Sequence, residues 1–226
     1  MIVCHYDLEV LFSNYKNLLQ ERLDRYRLLH ICEDSVRYDF FSALIETYGL
    51  RPSQIQIEVP INEKCFNSRN NDKAFRKEKP LIDLVVKEEF LNISAEFGLF
   101  RQNSNEDGTI NQTYRTVKML NDMIRVSLEA NFTGTRGFFI CVADHKMLGH
   151  QMNSKIIDSF PSNYYITTAL IEHQLKQKTN NFDHRFLQIF KNEGRNIVSK
   201  LIFDESLKAK LVMHETKLLI WEVYLE

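Results

Sequence analysis

Pro80-Leu81-Ile82-Asp83-Leu84-Val85-Val86-Lys87 and Asn92-Ile93-Ser94-Ala95-Glu96-Phe97-Gly98-Leu99-Phe100 are the two stretches that decide the fold. Both are short and rich in Ile, Val, Leu and Phe, residues that pack well on a pleated surface. Lys87-Glu88-Glu89 reads as a tight turn, so strands are expected at 81–86 and 92–100. Each carries one acid inside its apolar run, Asp83 and Glu96. A carboxylate there is costly unless it is paired, metal-bound or at a rim. On adjacent strands joined by a short hairpin, the two acids can lie side by side. Their like charges then repel, and a divalent cation offsets the repulsion. Oxygen ligands favour Mg2+, Mn2+ or Ca2+. Glu46 and Glu58 are candidate extra ligands. The alternative is that both acids face solvent on an alternating sheet surface.

Upstream, Leu8, Leu11, Phe12, Tyr15, Leu18, Leu19, Leu23, Tyr26 and Leu29 recur at three and four, which predicts a helix over 6–31. A second helix is expected at about 34–48, with Asp34 as N-cap, Gly49 as its stop and Pro52 blocking continuation. Ile55-Gln56-Ile57-Glu58-Val59 alternates strictly and reads as a half-buried strand ended by Pro60. Residues 62–79 form a polar, basic loop carrying Arg69, Lys73, Arg76, Lys77 and Lys79.

Downstream, residues 103–108 read as a loop and 113–130 as a helix with the stripe Val117, Leu120, Ile124 and Leu128. Phe138-Phe139-Ile140-Cys141-Val142-Ala143 is continuously apolar, as for a strand buried on both faces. Residues 164–178 and 182–194 look partly helical, and 210–225 reads as two short strands around His214-Glu215-Thr216. This order makes a mixed α/β sheet flanked by helices, in one domain spanning 1–226.

The 226 residues are 44% hydrophobic and 26% charged, a mix that excludes a largely disordered chain. Net charge is −1, so nucleic acid has no global basic footprint to meet, only local ones. Cys4, Cys32, Cys65 and Cys141 have neither C-x-x-C spacing nor a suitably placed His pair, which argues against zinc and for a reduced, cytoplasmic setting. The first residues lack a secretory signal, and no apolar run approaches the roughly 20 residues of a membrane span. Phosphate-loop, dinucleotide-binding and serine-elbow motifs are absent, so no nucleotide cofactor is expected.

The order helix with Glu46, strand, strand with Asp83, strand with Glu96, helix, strand resembles the PD-(D/E)xK nuclease superfamily. Pro80-Leu81-Ile82-Asp83 matches the first part of its motif and Ala95-Glu96-Phe97-Gly98 the second. The segment Thr113–Arg125 is similar to the helix after the motif in a group of bacterial proteins of this type. The resemblance covers about residues 35–145. It implies a restriction-endonuclease-like mixed central sheet, with an extra N-terminal helix at 6–31, helical and strand elaboration over 146–226 and a C-terminal strand pair. It implies Mg2+ (or Mn2+) held by Asp83, Glu96 and Glu46, and hydrolysis of DNA phosphodiester bonds in a restriction or defence setting.

One departure matters. The motif lysine falls at position 98, which is Gly98. Either the lysine has moved to another element, with Lys118 the candidate because Lys118, Asp122 and Arg125 share a helix face, or the site is silent and only binding remains. The alternative for that face is a solvated Lys–Asp pair. The basic loop Arg69, Lys73, Arg76, Lys77 and Lys79 is the expected DNA contact; Lys176, Lys178, Arg185, Lys191, Arg195 and Lys200, interleaved with Phe182, Phe186 and Phe190, form a second basic stretch. A partner protein or a second copy of the chain remains open, and no membrane partner is expected.

Overall fold

Helix α1 (Leu8–Arg25) starts where Asp7 caps it by accepting the Glu9 N–H at 3.0 Å. The computed structural model describes residues 7–67, 80–101, 112–144, 163–176, 182–210 and 215–226. Helix α1 buries Leu11, Phe12, Tyr15, Leu19 and Leu23, the stripe expected from the sequence. It stops six residues short of the expected end. Leu28 and Ile31 turn inward instead, and Arg101 collects the carbonyls of Leu28, Leu29 and Ile31 that a continued helix would have used.

Helix α2 (Glu33–Tyr48) follows. Its N-cap is Cys32 rather than Asp34, without a side-chain cap bond, and it ends at Gly49, whose φ of 66° supplies the left-handed turn. Then come β1 (Ile55–Pro60), β2 (Leu81–Lys87) and β3 (Asn92–Phe100), joined antiparallel in chain order. Helix α3 (Gln112–Thr133) is the crossover that allows β4 (Arg136–Asp144) to pair parallel with β3.

The C-terminal part contributes β5 (Tyr164–Ile166), α4 (Thr168–Lys176), α5 (His184–Glu193), β6 (Ile197–Leu207) and β7 (Thr216–Leu225). The seven strands among the described residues form one sheet in the order β1-β2-β3-β4-β7-β6-β5. The chain is therefore mixed α/β, with helices on both faces. The strand pair expected over 210–225 is corrected: β6 begins at Ile197, and β7 lies directly against β4. The sequence hid β6 because a register shift between Leu201 and Phe203 breaks its inside–outside alternation.

Two apolar layers hold the sheet. On one face α1 and α2 bring Phe12, Tyr15 and Phe40 against Phe97 and Phe138. On the other, α3 and α5 pack on Phe139, Trp221 and Val223. Gly137 permits close approach: a Cβ there would stand 2.8 Å from the Val223 carbonyl oxygen and 3.1 Å from that of Val126. No helix among the described residues is long and apolar enough to cross a membrane.

Candidate functional site

The sheet forks at Asp83 and Glu96. Strands β2 and β3 pair only from Leu84↔Ala95 to Lys87↔Asn92. Beyond that point β2 stays with β1 as far as Pro60↔Leu81, while β3 stays with β4 as far as Phe100↔Ala143. Extending the registers puts Glu58, Asp83 and Glu96 on one row across three strands. The ladder ends one rung before the two acids, so they flank the mouth of the fork, near enough for the Asp83 charge to act on Glu96.

Local geometry is adapted to these acids. Asp83 Oδ2 accepts the Phe97 N–H at 2.9 Å, a side chain standing in for a ladder bond. Glu58 has φ 53°, a left-handed value that costs a non-glycine residue about 1 kcal/mol. The kink leaves the Glu58 carboxylate exposed and 3.4 Å from Arg37 Nη2.

Helices on the two faces supply the cations. From α2, Arg37 reaches Asp83 Oδ1 at 3.4 Å and Asp34 at 2.5 Å. From α3, Arg125 Nη2 donates to Glu96 Oε2 at 2.6 Å and to Asp122 Oδ1 at 2.8 Å. Lys118 Nζ meets Asp122 at 3.1 Å and Glu33, at the start of α2, at 3.4 Å. A continuous chain of charge thus runs Glu33–Lys118–Asp122–Arg125–Glu96, tying the N-terminus of α2 to α3. The helical spacing of 118, 122 and 125 creates it: the three side chains share one face.

Glu96 is the most buried member, with its side chain 1% exposed. Among the described residues its Oε1 has no hydrogen-bond partner, and neither do Arg37 Nε and Arg125 Nε. Burial pushes the Glu96 carboxyl well above the ordinary range; Arg125 pulls it back, and Asp83 and Asp122 add to the rise. Burial likewise raises Glu33, against the pull of Lys118. Burial opposes charge on Lys118 and Arg125, but their acidic neighbours prevail, so both are held above their ordinary values and stay cationic.

Of the sequence-expected residues, Asp83, Glu96 and Lys118 come together in this cluster. Glu46 does not join it: it is exposed and lies about 13 Å further along α2 than Arg37. The acid that α2 contributes is Glu33, at its other end. Lys118 belongs to the cluster through Asp122 and Glu33, whereas the cation on Glu96 is Arg125. Glu33 and Arg37 were missed by the sequence reading. Their i, i+4 spacing was visible, but nothing local says that this turn of α2 overlooks the fork.

Gly98 also has a tertiary reason. A Cβ there would meet Phe100 Cζ and Phe139 Cζ, each at 3.2 Å. Both rings are fully buried, so position 98 has no room for a lysine.

The basic loop with Arg69, Lys73, Arg76, Lys77 and Lys79 lies outside the described residues, as does Lys178. In the second basic stretch, Phe182, Phe186 and Phe190 are core residues. Several of its cations have local partners: Arg185 binds Asp183 at 2.6 Å, Lys191 binds Glu172 at 2.9 Å, and Arg195 donates to Asn131 at 3.0 Å. Lys200 is exposed on β6.

Whether Mg2+ suits the fork is a question of donors. Mg2+ takes oxygen ligands in an octahedron and is commonly held by one or two carboxylates, with water and phosphate completing the shell. Asp83 and Glu96 supply two carboxylates, Glu96 Oε1 lacks any donor, and Asp83 Oδ1 is held only at 3.4 Å. That pair fits. Among the described residues no group of three or more His, Cys, Asp or Glu side chains forms a metal site, so water or substrate oxygens would have to complete the shell. Compared with protein-family models, curated proteins and solved structures, the chain matches none.

Proposed function

We propose that the chain is a restriction-endonuclease-like, Mg2+-dependent nuclease that hydrolyses DNA phosphodiester bonds at the β2–β3 fork. The observation that carries this reading is Glu96 Oε1, a fully buried carboxylate oxygen without a donor among the described residues, at the fork beside Asp83. A buried carboxylate oxygen without a donor calls for a further partner, and a metal ion would be one. The helix–strand–strand–strand–helix–strand order through β4 supports the same reading.

Asp83 and Glu96 would hold the metal, which when bound supplies a water of lowered pKa and neutralises charge on the attacked phosphate. The chain's own residues do the rest. The Phe97 N–H fixes the Asp83 carboxylate. Arg37 balances Asp83 and Glu58. Lys118, anchored by Asp122 and Glu33, adds positive potential beside the fork.

A second reading has its own support. The filled space over Gly98 and the short Arg125–Glu96 pair suit a silent nuclease fold that binds nucleic acid or a protein without cutting.

The deciding experiment titrates Mg2+ and Mn2+ into the protein by calorimetry, alone and with a DNA duplex, beside a plasmid-nicking assay and the Glu96→Ala variant. Metal binding and nicking that both disappear in the variant support the nuclease. Metal or DNA binding without nicking supports the silent fold. No carboxylate-dependent metal binding in either condition rejects the metal site.

A further inference from the structure

We propose that Arg125 is this chain's replacement for the absent motif lysine, and that it holds Glu96 as a removable counter-ion which metal must displace. The inference rests on the metal-site reading above and adds the identity and behaviour of the cation. Lys118, the replacement expected from the sequence, is tied to Asp122 and Glu33. Arg125 is the side chain in direct contact with the buried acid, at 2.6 Å.

Three features give Arg125 the capacity to move between partners. Its hydrogen bonds to Glu96 and Asp122 both leave from Nη2. Its Nε is buried without an acceptor. Its side chain is 25% exposed, whereas that of Glu96 is 1% exposed. A guanidinium has five donors in a planar fork that matches two phosphate oxygens. Asp122, one helical turn back, keeps the group at the fork once Glu96 is lost to a metal. Released from Glu96, the fork is free to grip the phosphate beside Asp83.

Two cations that compete for one carboxylate are negatively coupled. Removing Arg125 therefore has opposite effects on two measurements. Arg125→Gln and Arg125→Lys are each titrated with Mn2+ by calorimetry, after circular dichroism confirms folding, and assayed for plasmid nicking. At a pH where Glu96 is ionised in both proteins, the Gln variant is expected to bind Mn2+ about tenfold more tightly, and to nick at least about 100-fold more slowly, the scale for losing a preorganised charge at the reacting group. The Lys variant, with a shorter reach and no fork, is expected between the two. Tighter Mn2+ binding alone would follow from deleting any positive charge at the fork; tighter binding together with slower nicking in a folded variant marks a cation that both blocks the acid and serves the phosphate. Unchanged or weaker Mn2+ affinity in a folded variant would overturn the proposal while leaving the metal site intact. Absence of metal binding in wild type and variants, with and without DNA, overturns the metal site and this proposal together. Should both variants fail to fold, the wild type decides. Mg2+ should shift one arginine side-chain 15N–1H resonance, and no such shift under saturating Mg2+ rejects the displacement.

Discussion

Asp83 Oδ2 accepts the backbone N–H of Phe97 at 2.9 Å, across the point where β2 and β3 part company. One carboxylate oxygen thus replaces a strand-to-strand bond, and the other is left toward Arg37 at 3.4 Å. The contact both ends the ladder and orients the acid.

This predicts different outcomes for two Asp83 substitutions. Asp83→Ala removes the acceptor from a peptide N–H beside the core and should cost about 1–3 kcal/mol. Asp83→Asn keeps an acceptor oxygen and should cost distinctly less. Urea denaturation separates them, and both should lose Mn2+ binding. Equal stability losses would mean that the Phe97 contact contributes nothing.

Restoring the missing lysine should fail. Gly98→Ala places a methyl group 3.2 Å from the Phe100 and Phe139 rings, an overpacking that costs about 1–3 kcal/mol. Gly98→Lys should be worse, with no gain in nicking. Gly98→Ala combined with Phe100→Leu should recover part of the loss. Denaturation midpoints of the single and double variants test the coupling.

Glu96 sets a pH dependence of stability. Burial raises its folded-state pKa, so above the unfolded carboxyl value of about 4.3 the native state binds more protons than the unfolded chain. Stability contributed by this group is therefore present at low pH and is lost as pH rises toward the raised value. Glu33 acts in the same direction. Glu96→Gln removes the ionisation, so its stability relative to wild type should grow from pH 4.5 upward. Urea midpoints at several pH values check the sign. A difference that shrinks as pH rises would mean that Arg125 stabilises the ionised form by more than burial costs it.

Gly137→Ala should be among the most damaging small substitutions. The added methyl meets the backbone oxygens of Val223 and Val126 at 2.8 and 3.1 Å, and backbone cannot step aside as a side chain can. A loss of about 3 kcal/mol or more is expected. The readouts are the thermal midpoint and recovery of soluble protein.

Much of the fold was legible along the chain because its signals are local. The alternation at 55–59 became β1, the apolar run at 138–143 became the centre of β4, and the three-four spacing around Leu11 and Leu19 became the buried stripe of α1. β6 escaped because its bulge erases the period that makes a strand readable. At the site, Asp83 and Glu96 stood out because ionisable groups inside apolar strands require a partner. What that partner is cannot be read from spacing: Lys118 and Arg125 share a helix face, and only the packing of α3 on the sheet put Arg125 on Glu96.

The sequence by itself determined the mixed α/β class, the hairpin that carries the two acids and the absence of a lysine two residues after Glu96. Tertiary structure decided that Glu33 rather than Glu46 joins them, because only the first turns of α2 overlook the fork. It also decided that position 98 is closed, because Phe139 reaches it from β4, far along the chain. Local periodicity dictates which face of an element is apolar. Which residues of two distant elements meet depends on how those faces pack, and that packing sets the charges around Glu96.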